Sequence, residues 1–199
     1  MPREGKARVL DKKERDRLLT VLRAGMYPER NIALIYLSFG CGLRVKEIAS
    51  LNIGDIIDVH GEVLTEVNLK KHMTKGGKKR TIYLVNEQVI KTLKAYLKIR
   101  MAMTTPAADA DSPLFVSQKK HRFSPNSLQK LFHDFYERAG IQGASSHSGR
   151  RTFATILAEK GVGIEKLQVL MGHEHISTTA EYIDSNPDIL KKIVKNSIF

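Results

Sequence analysis

Four stretches of the chain combine permanent cations with groups that can donate or accept a proton. In Gly42-Leu43-Arg44-Val45-Lys46-Glu47 an arginine follows a glycine break at the entry of a helix, where it can be held and pointed inward. Glu47, three residues on, shares its helical face and can orient it. Lys70, Lys71, His72, Lys75, Lys78, Lys79 and Arg80 fall within eleven residues around Gly76-Gly77, a turn that can approach a backbone phosphate closely. In Ser146-His147-Ser148-Gly149-Arg150-Arg151, His147 and Arg150 sit one turn apart at a helix start, where both can donate to one anion. Last comes Gly172-His173-Glu174-His175, with Tyr182 nine residues after His173. The chemistry these types suit is the binding of an oxyanion by fixed cations and N–H donors. Gly76-Gly77-Lys78-Lys79 is not a nucleotide-binding P-loop, because the spaced first glycine and the Ser/Thr after lysine are missing and a strand follows. His173-Glu174-His175 supplies too few ligands for a metal, so no metal and no cofactor are expected.

The elements that position these groups are mostly helical. Asp11 and Glu14 form a capping box ahead of Leu18, Leu19 and Leu22, and Gly25 ends that helix. Pro28 suits the first turn of a second helix through Ile32 to Phe39, broken by Gly40-Cys41-Gly42. A short third helix spans Leu43 to Leu51. The period then changes. Ile56 to Val59, Val63 to Leu69 and Arg80 to Leu84 read as three strands of a small antiparallel sheet, the last two joined by the basic loop. Asn86 caps a helix with Val89, Ile90, Leu93 and Leu97 on its core face. Ser124-Pro125 starts another, closed by Gly140, and helical pieces follow near 147–160, 163–171 and 177–184, the last capped by Ser177. The fold class is α+β, mainly α-helical, with one small three-stranded sheet.

At 199 residues the chain fits one domain at roughly 150 residues per domain. Residues 1–10 form an N-terminal arm, and 185–199 form a tail with the apolar positions Ile189, Leu190, Ile193 and Val194. No apolar run approaches the ~20 residues that cross a bilayer, the start lacks a signal-peptide stretch, and a lone Cys41 excludes an internal disulfide and suits the cytoplasm. A formal charge of +12 favours a polyanionic partner, most simply nucleic acid.

Taken singly, each cluster also fits a solvated group of charges. Their order is more specific. Arg44, a hairpin lysine, His147-x-x-Arg150, Gly172-His173 and then Tyr182 resemble the tyrosine recombinase family, which includes the phage integrases, over residues 8 to 185. The resemblance implies the catalytic-domain fold of that family and assigns Arg44, Lys75, His147, Arg150, His173 and Tyr182 as catalytic, with Glu47 supporting Arg44. Lys70, Lys71, Lys78, Lys79, Arg80 and Arg151 are expected to contact DNA. Gly149 stands where the family has an apolar residue, and Arg151 where histidine is frequent. Only about ten residues precede the first helix, whereas most members carry a helical clamping domain there, so the expectation is a minimal member or an excised catalytic domain.

The implied activity is site-specific recombination or integration, in which strands of double-stranded DNA are cleaved and rejoined through a 3′-phosphotyrosyl link, by a tetramer on two duplexes. The tail would dock on its own protomer or on a neighbour. Two other readings share the sequence: a type IB topoisomerase-like nicking and resealing enzyme, and a DNA-binding regulator without catalysis.

Overall fold

The computed structural model describes residues 7–74, 76–77, 79–103 and 108–180. In chain order these form α1 (Lys12–Ala24), α2 (Pro28–Cys41), α3 (Val45–Ser50), β1 (Glu66–Leu69), β2 (Arg80–Tyr83), α4 (Glu87–Ala102), α5 (Pro125–Arg138), α6 (Ser148–Glu159), α7 (Ile164–Met171) and α8 (Ile176–Ala180). Short 3-10 turns stand at Ile53–Asp55 and Lys71–Met73.

Side chains that satisfy backbone N–H groups start the helices where the sequence predicts. Asp11 accepts from the Glu14 N–H while Glu14 accepts from that of Asp11. Asn86 caps α4, and Ser124 caps α5 with Pro125 in its first turn. The helix after Pro28 runs through Gly40 and ends at Cys41, with Gly42 left-handed at φ 62°. Ser177, expected as a cap, lies inside α8, which begins one residue earlier.

α2 is the central element. It packs against α1, α4 and α6, and Ala33, Leu34, Ile35 and Leu37 on several of its faces are buried, as a helix enclosed by neighbours requires. Leu18 and Leu22 of α1, Leu93 of α4 and Leu128 and Phe132 of α5 complete one core. The Tyr96 ring stacks on Phe115 at 5.0 Å, and its hydroxyl donates to the Leu114 carbonyl. A second, smaller cluster joins α6 to α7 through Ala158 and Leu167. The N-terminal arm is attached where it is described: Leu10 is fully buried and its N–H donates to Thr152 of α6.

Two strands make up the described sheet, not three. β1 and β2 pair antiparallel, Val67 opposite Ile82 and Leu69 opposite Arg80. The expected first strand is reduced to a single bridge between Ile57 and Val63. The cause is local: the Asp58 carboxylate accepts the N–H groups of His60 and Glu62, donors a ladder would need, and the chain turns there. Ile56 is buried in that turn, which is why the stretch reads as apolar.

Gly149, the departure noted above, sits where α6 meets α2. A Cβ there would lie 2.3 Å from Ser38 Oγ and 2.7 Å from the Phe39 ring, so only glycine fits this approach. Gly149→Ala is expected to cost about 1–3 kcal/mol through overpacking. A urea unfolding midpoint equal to the wild type would show that α6 can retreat from α2 without loss.

Candidate active site

Arg44 occupies the N-cap of α3, with its side chain 18% exposed, and Glu47 one turn later is fully buried. A buried carboxylate must be paired, and Glu47 is paired on both oxygens. Oε1 accepts from Arg44 Nη1 at 2.8 Å, and Oε2 accepts from the Arg44 backbone N–H at 2.7 Å and from Arg80 Nη2 at 3.0 Å. Glu47 therefore holds Arg44 by main chain and side chain together.

Arg150 reaches the same place from α6. It is 3% exposed, and its guanidinium donates to the Gly42 carbonyl at 2.6 Å and to the Met171 carbonyl. Gly42 is close to the α6–α7 layer for a steric reason as well: a Cβ there would meet the Phe153 ring at 2.7 Å. His147, one turn before Arg150, is exposed.

His173 follows the left-handed Gly172 that ends α7. It is half-buried, and its Nδ1 lies 2.9 Å from the hydroxyl of Thr179, which is fully buried. Burial, and then the neighbouring charges of Arg150, Arg44 and Arg80, hold its pKa down to about 3. His173 is therefore a neutral imidazole near neutral pH, within reach of three permanent cations.

The β1–β2 connection closes one side. Lys46 Nζ donates to the carbonyl of Thr74 at 3.2 Å, which fixes the start of the basic loop to α3. Gly76 and Gly77 are both left-handed, at φ 84° and 68°. Lys71 and Lys79 are exposed, while Lys70 pairs with Asp55 at 3.0 Å. A cleft of about 860 Å³ brings together Arg44, Thr74, Lys79, Arg80, His173 and His175. Arg151 is half-buried on α6. Lys75, Lys78 and Tyr182 lie outside the described residues.

Arg80, expected to contact DNA, borders the cleft but is nearly covered. Its side chain is only 6% exposed and spends its donors on Glu47, on the Leu170 carbonyl at 2.5 Å and on the Gly42 carbonyl at 3.3 Å. The signal was present in the alternation of β2: Arg80 is in phase with buried Ile82, so both face inward. The basic run around it masked that phase. Thr179 and Lys46 carried no comparable signal: Lys46 acts through Thr74, 28 residues on, and Thr179 through His173, six residues before it.

Residues 8–188 match the model of the phage integrase family. The chain belongs to this family. The tyrosine recombinase XerC of Caldanaerobacter subterraneus is 36% identical over 176 residues, 87% of this chain and 46% of that protein. XerA of Pyrococcus furiosus is 32% identical over 192 residues, 94% of this chain and 61% of that protein. The chain thus spans about half the length of the curated relatives it matches. A crystal structure of a XerA recombinase aligns over the whole chain and 68% of its own, with a TM-score of 0.78 and 27% identity. The fold is also that of a XerH recombinase bound to its difH substrate after cleavage, with a TM-score of 0.72 and 23% identity over 94% of this chain and 52% of that one. The mainly helical phage integrase catalytic fold with a small antiparallel sheet is therefore the fold of this chain. Among the described residues no helix is long and apolar enough to cross a membrane.

The environment of His173 has a consequence for stability. Because its folded pKa lies below the ordinary histidine value of about 6.5, the unfolded chain takes up a proton that the folded chain refuses. Its contribution is complete above that value and declines as pH falls toward about 3. Urea unfolding near pH 7 and near pH 5 is expected to show a smaller loss for His173→Gln than for the wild type. An identical loss in the two chains would place the low pKa elsewhere.

Proposed function

We propose that the chain is the catalytic part of a site-specific DNA recombinase, cleaving and rejoining strands through a 3′-phosphotyrosyl intermediate. The observation that carries this reading is the convergence of Arg44, Arg150 and His173, from three distant stretches, beside a lysine-bearing hairpin. A phosphodiester is already an anion, and attack at phosphorus adds charge to its non-bridging oxygens. Fixed guanidinium groups suit that charge, because they stay protonated and can bind two oxygens at once.

In this reading the Tyr182 oxygen attacks phosphorus and the bond to the 5′ oxygen breaks. Arg44 and Arg150 face the non-bridging oxygens, and the neutral His173 adds one N–H donor. His147, exposed at the start of α6, takes the tyrosine proton. Lys75 gives a proton to the leaving 5′ oxygen. The phosphotyrosyl bond keeps the energy of the original ester, so a 5′-hydroxyl from another strand reverses the step without ATP. Lys70, Lys71, Lys78, Lys79 and Arg151 are assigned to the DNA backbone. Exchange between two duplexes calls for a tetramer, with residues 187–199 tying neighbouring protomers.

The test uses a library of nicked duplexes carrying random sequence, incubated with the chain and recovered as SDS-resistant adducts. Mapping of the adducted peptide to Tyr182 is expected, and sequencing of the trapped DNA yields the site. Tyr182→Phe should bind the recovered duplex with unchanged affinity and form no adduct. An adduct in that variant removes Tyr182 from the role. Arg150→Ala should slow single-turnover cleavage on the order of 10² or more, as for loss of one oxyanion donor. A wild-type rate in that variant refutes its assignment.

A further inference from the structure

The hairpin strand β2 contributes a group to this site that is neither exposed nor part of the assigned catalytic set. Arg80 crosses from β2 into the space between α3 and α7. There it donates to the second oxygen of Glu47, to the Leu170 carbonyl, and to the Gly42 carbonyl that Arg150 also uses. The passage is built for it: Gly172, left-handed at φ 58°, is so close that a Cβ would lie 2.6 Å from Arg80 Cδ. Arg80 borders the cleft, but both of its terminal nitrogens are engaged by these acceptors and its side chain is 6% exposed.

The charges show what such a group does. Arg44 and Glu47 alone sum to zero, so a fully buried carboxylate one turn away would cancel much of the field that Arg44 directs at an anion. Arg80 on the other oxygen brings the trio to one net positive charge. The same guanidinium joins three pieces of backbone: the hairpin strand, the α2–α3 corner and the residues before His173. Burial pushes its pKa down and Glu47 pulls it up, and a guanidinium remains charged through such shifts.

We propose that Arg80 is a positioning residue that balances the Glu47 charge, so that Arg44 keeps its positive field for the phosphate, and fixes the hairpin against the His173 segment. The proposal rests on the function assigned above and deepens it.

The test is a charge cycle with the full chain: wild type, Arg80→Gln, Arg80→Lys, and Arg80→Gln combined with Glu47→Gln. Single-turnover cleavage of the recovered duplex should fall on the order of tenfold in Arg80→Gln, with DNA affinity unchanged because Arg80 is covered. Removing the Glu47 charge as well restores one net positive charge, so the double variant should recover most of that loss. Arg80→Lys, which keeps the charge and loses the fork, should fall between Arg80→Gln and the wild type. A double variant slower than Arg80→Gln, or an affinity that falls in step with rate, overturns the proposal.

Urea unfolding of the same chains decides the charge balance without any cleavage. Arg80→Gln leaves a buried carboxylate short of a partner and should lower the midpoint, and adding Glu47→Gln should raise it again. If neither Arg80→Gln nor the double variant folds, Arg80 is a structural residue and the proposal falls. If the wild type forms no adduct, the proposed function falls, and the unfolding cycle still decides the part played by Arg80.

Discussion

Guanidinium groups brought together in a half-dry space repel one another, and each needs acceptors to replace the water it has lost. The site of this chain answers that constraint with one buried carboxylate and a set of backbone carbonyls, leaving Arg80 Nε buried without an acceptor among the described residues. Glu47 takes Arg44 and Arg80, the Gly42 carbonyl takes Arg80 and Arg150, and the carbonyls of Leu170 and Met171 take one each. Among the described contacts the carboxylate is that of Glu47, on Arg44 and Arg80, while backbone carbonyls hold the geometry without cancelling charge.

Using backbone as counter-charge places a demand on the chain. The last carbonyls of a helix have no partner within it, and the helix ends used here are at Gly42 and Gly172, both left-handed. Each is also a point of close approach, Gly42 to Phe153 and Gly172 to the Arg80 stem. The glycines therefore perform two tasks: they end α2 and α7 so that carbonyls become available, and they leave room for the arginines to arrive. Gly149 serves the same end by letting α6, and Arg150 with it, settle against α2.

This division explains what could be read from the residues alone. Helix starts were legible because a cap is a local bargain, settled within a few residues, as with Asp11 and Glu14, Asn86 and Ser124. The motif arginines were legible by their order. The first of the three expected strands is not formed, because apolar spacing at Ile56-Ile57 does not reveal that Asp58 captures the backbone donors of the next residues. The burial of Arg80 was not legible, because its charge argues for the surface while its phase in β2 argues for the interior, and its partner Glu47 is 33 residues away. Thr179 was missed because nothing in its neighbourhood announces a contact with His173.

The neutral state of His173 follows from the same arrangement and bears on how the site would work. Burial first, and then the charges of Arg150, Arg44 and Arg80, hold its pKa down to about 3, so the ring adds no further cation to the cluster. A neutral ring offers one N–H, and its direction depends on which nitrogen carries the proton. Thr179 engages Nδ1, so a buried hydroxyl helps to set the ring orientation. The permanent cations thus supply charge that does not vary with pH, while His173 supplies direction. Any change in rate across the neutral range must then arise elsewhere, in groups that gain or lose a proton during the reaction itself.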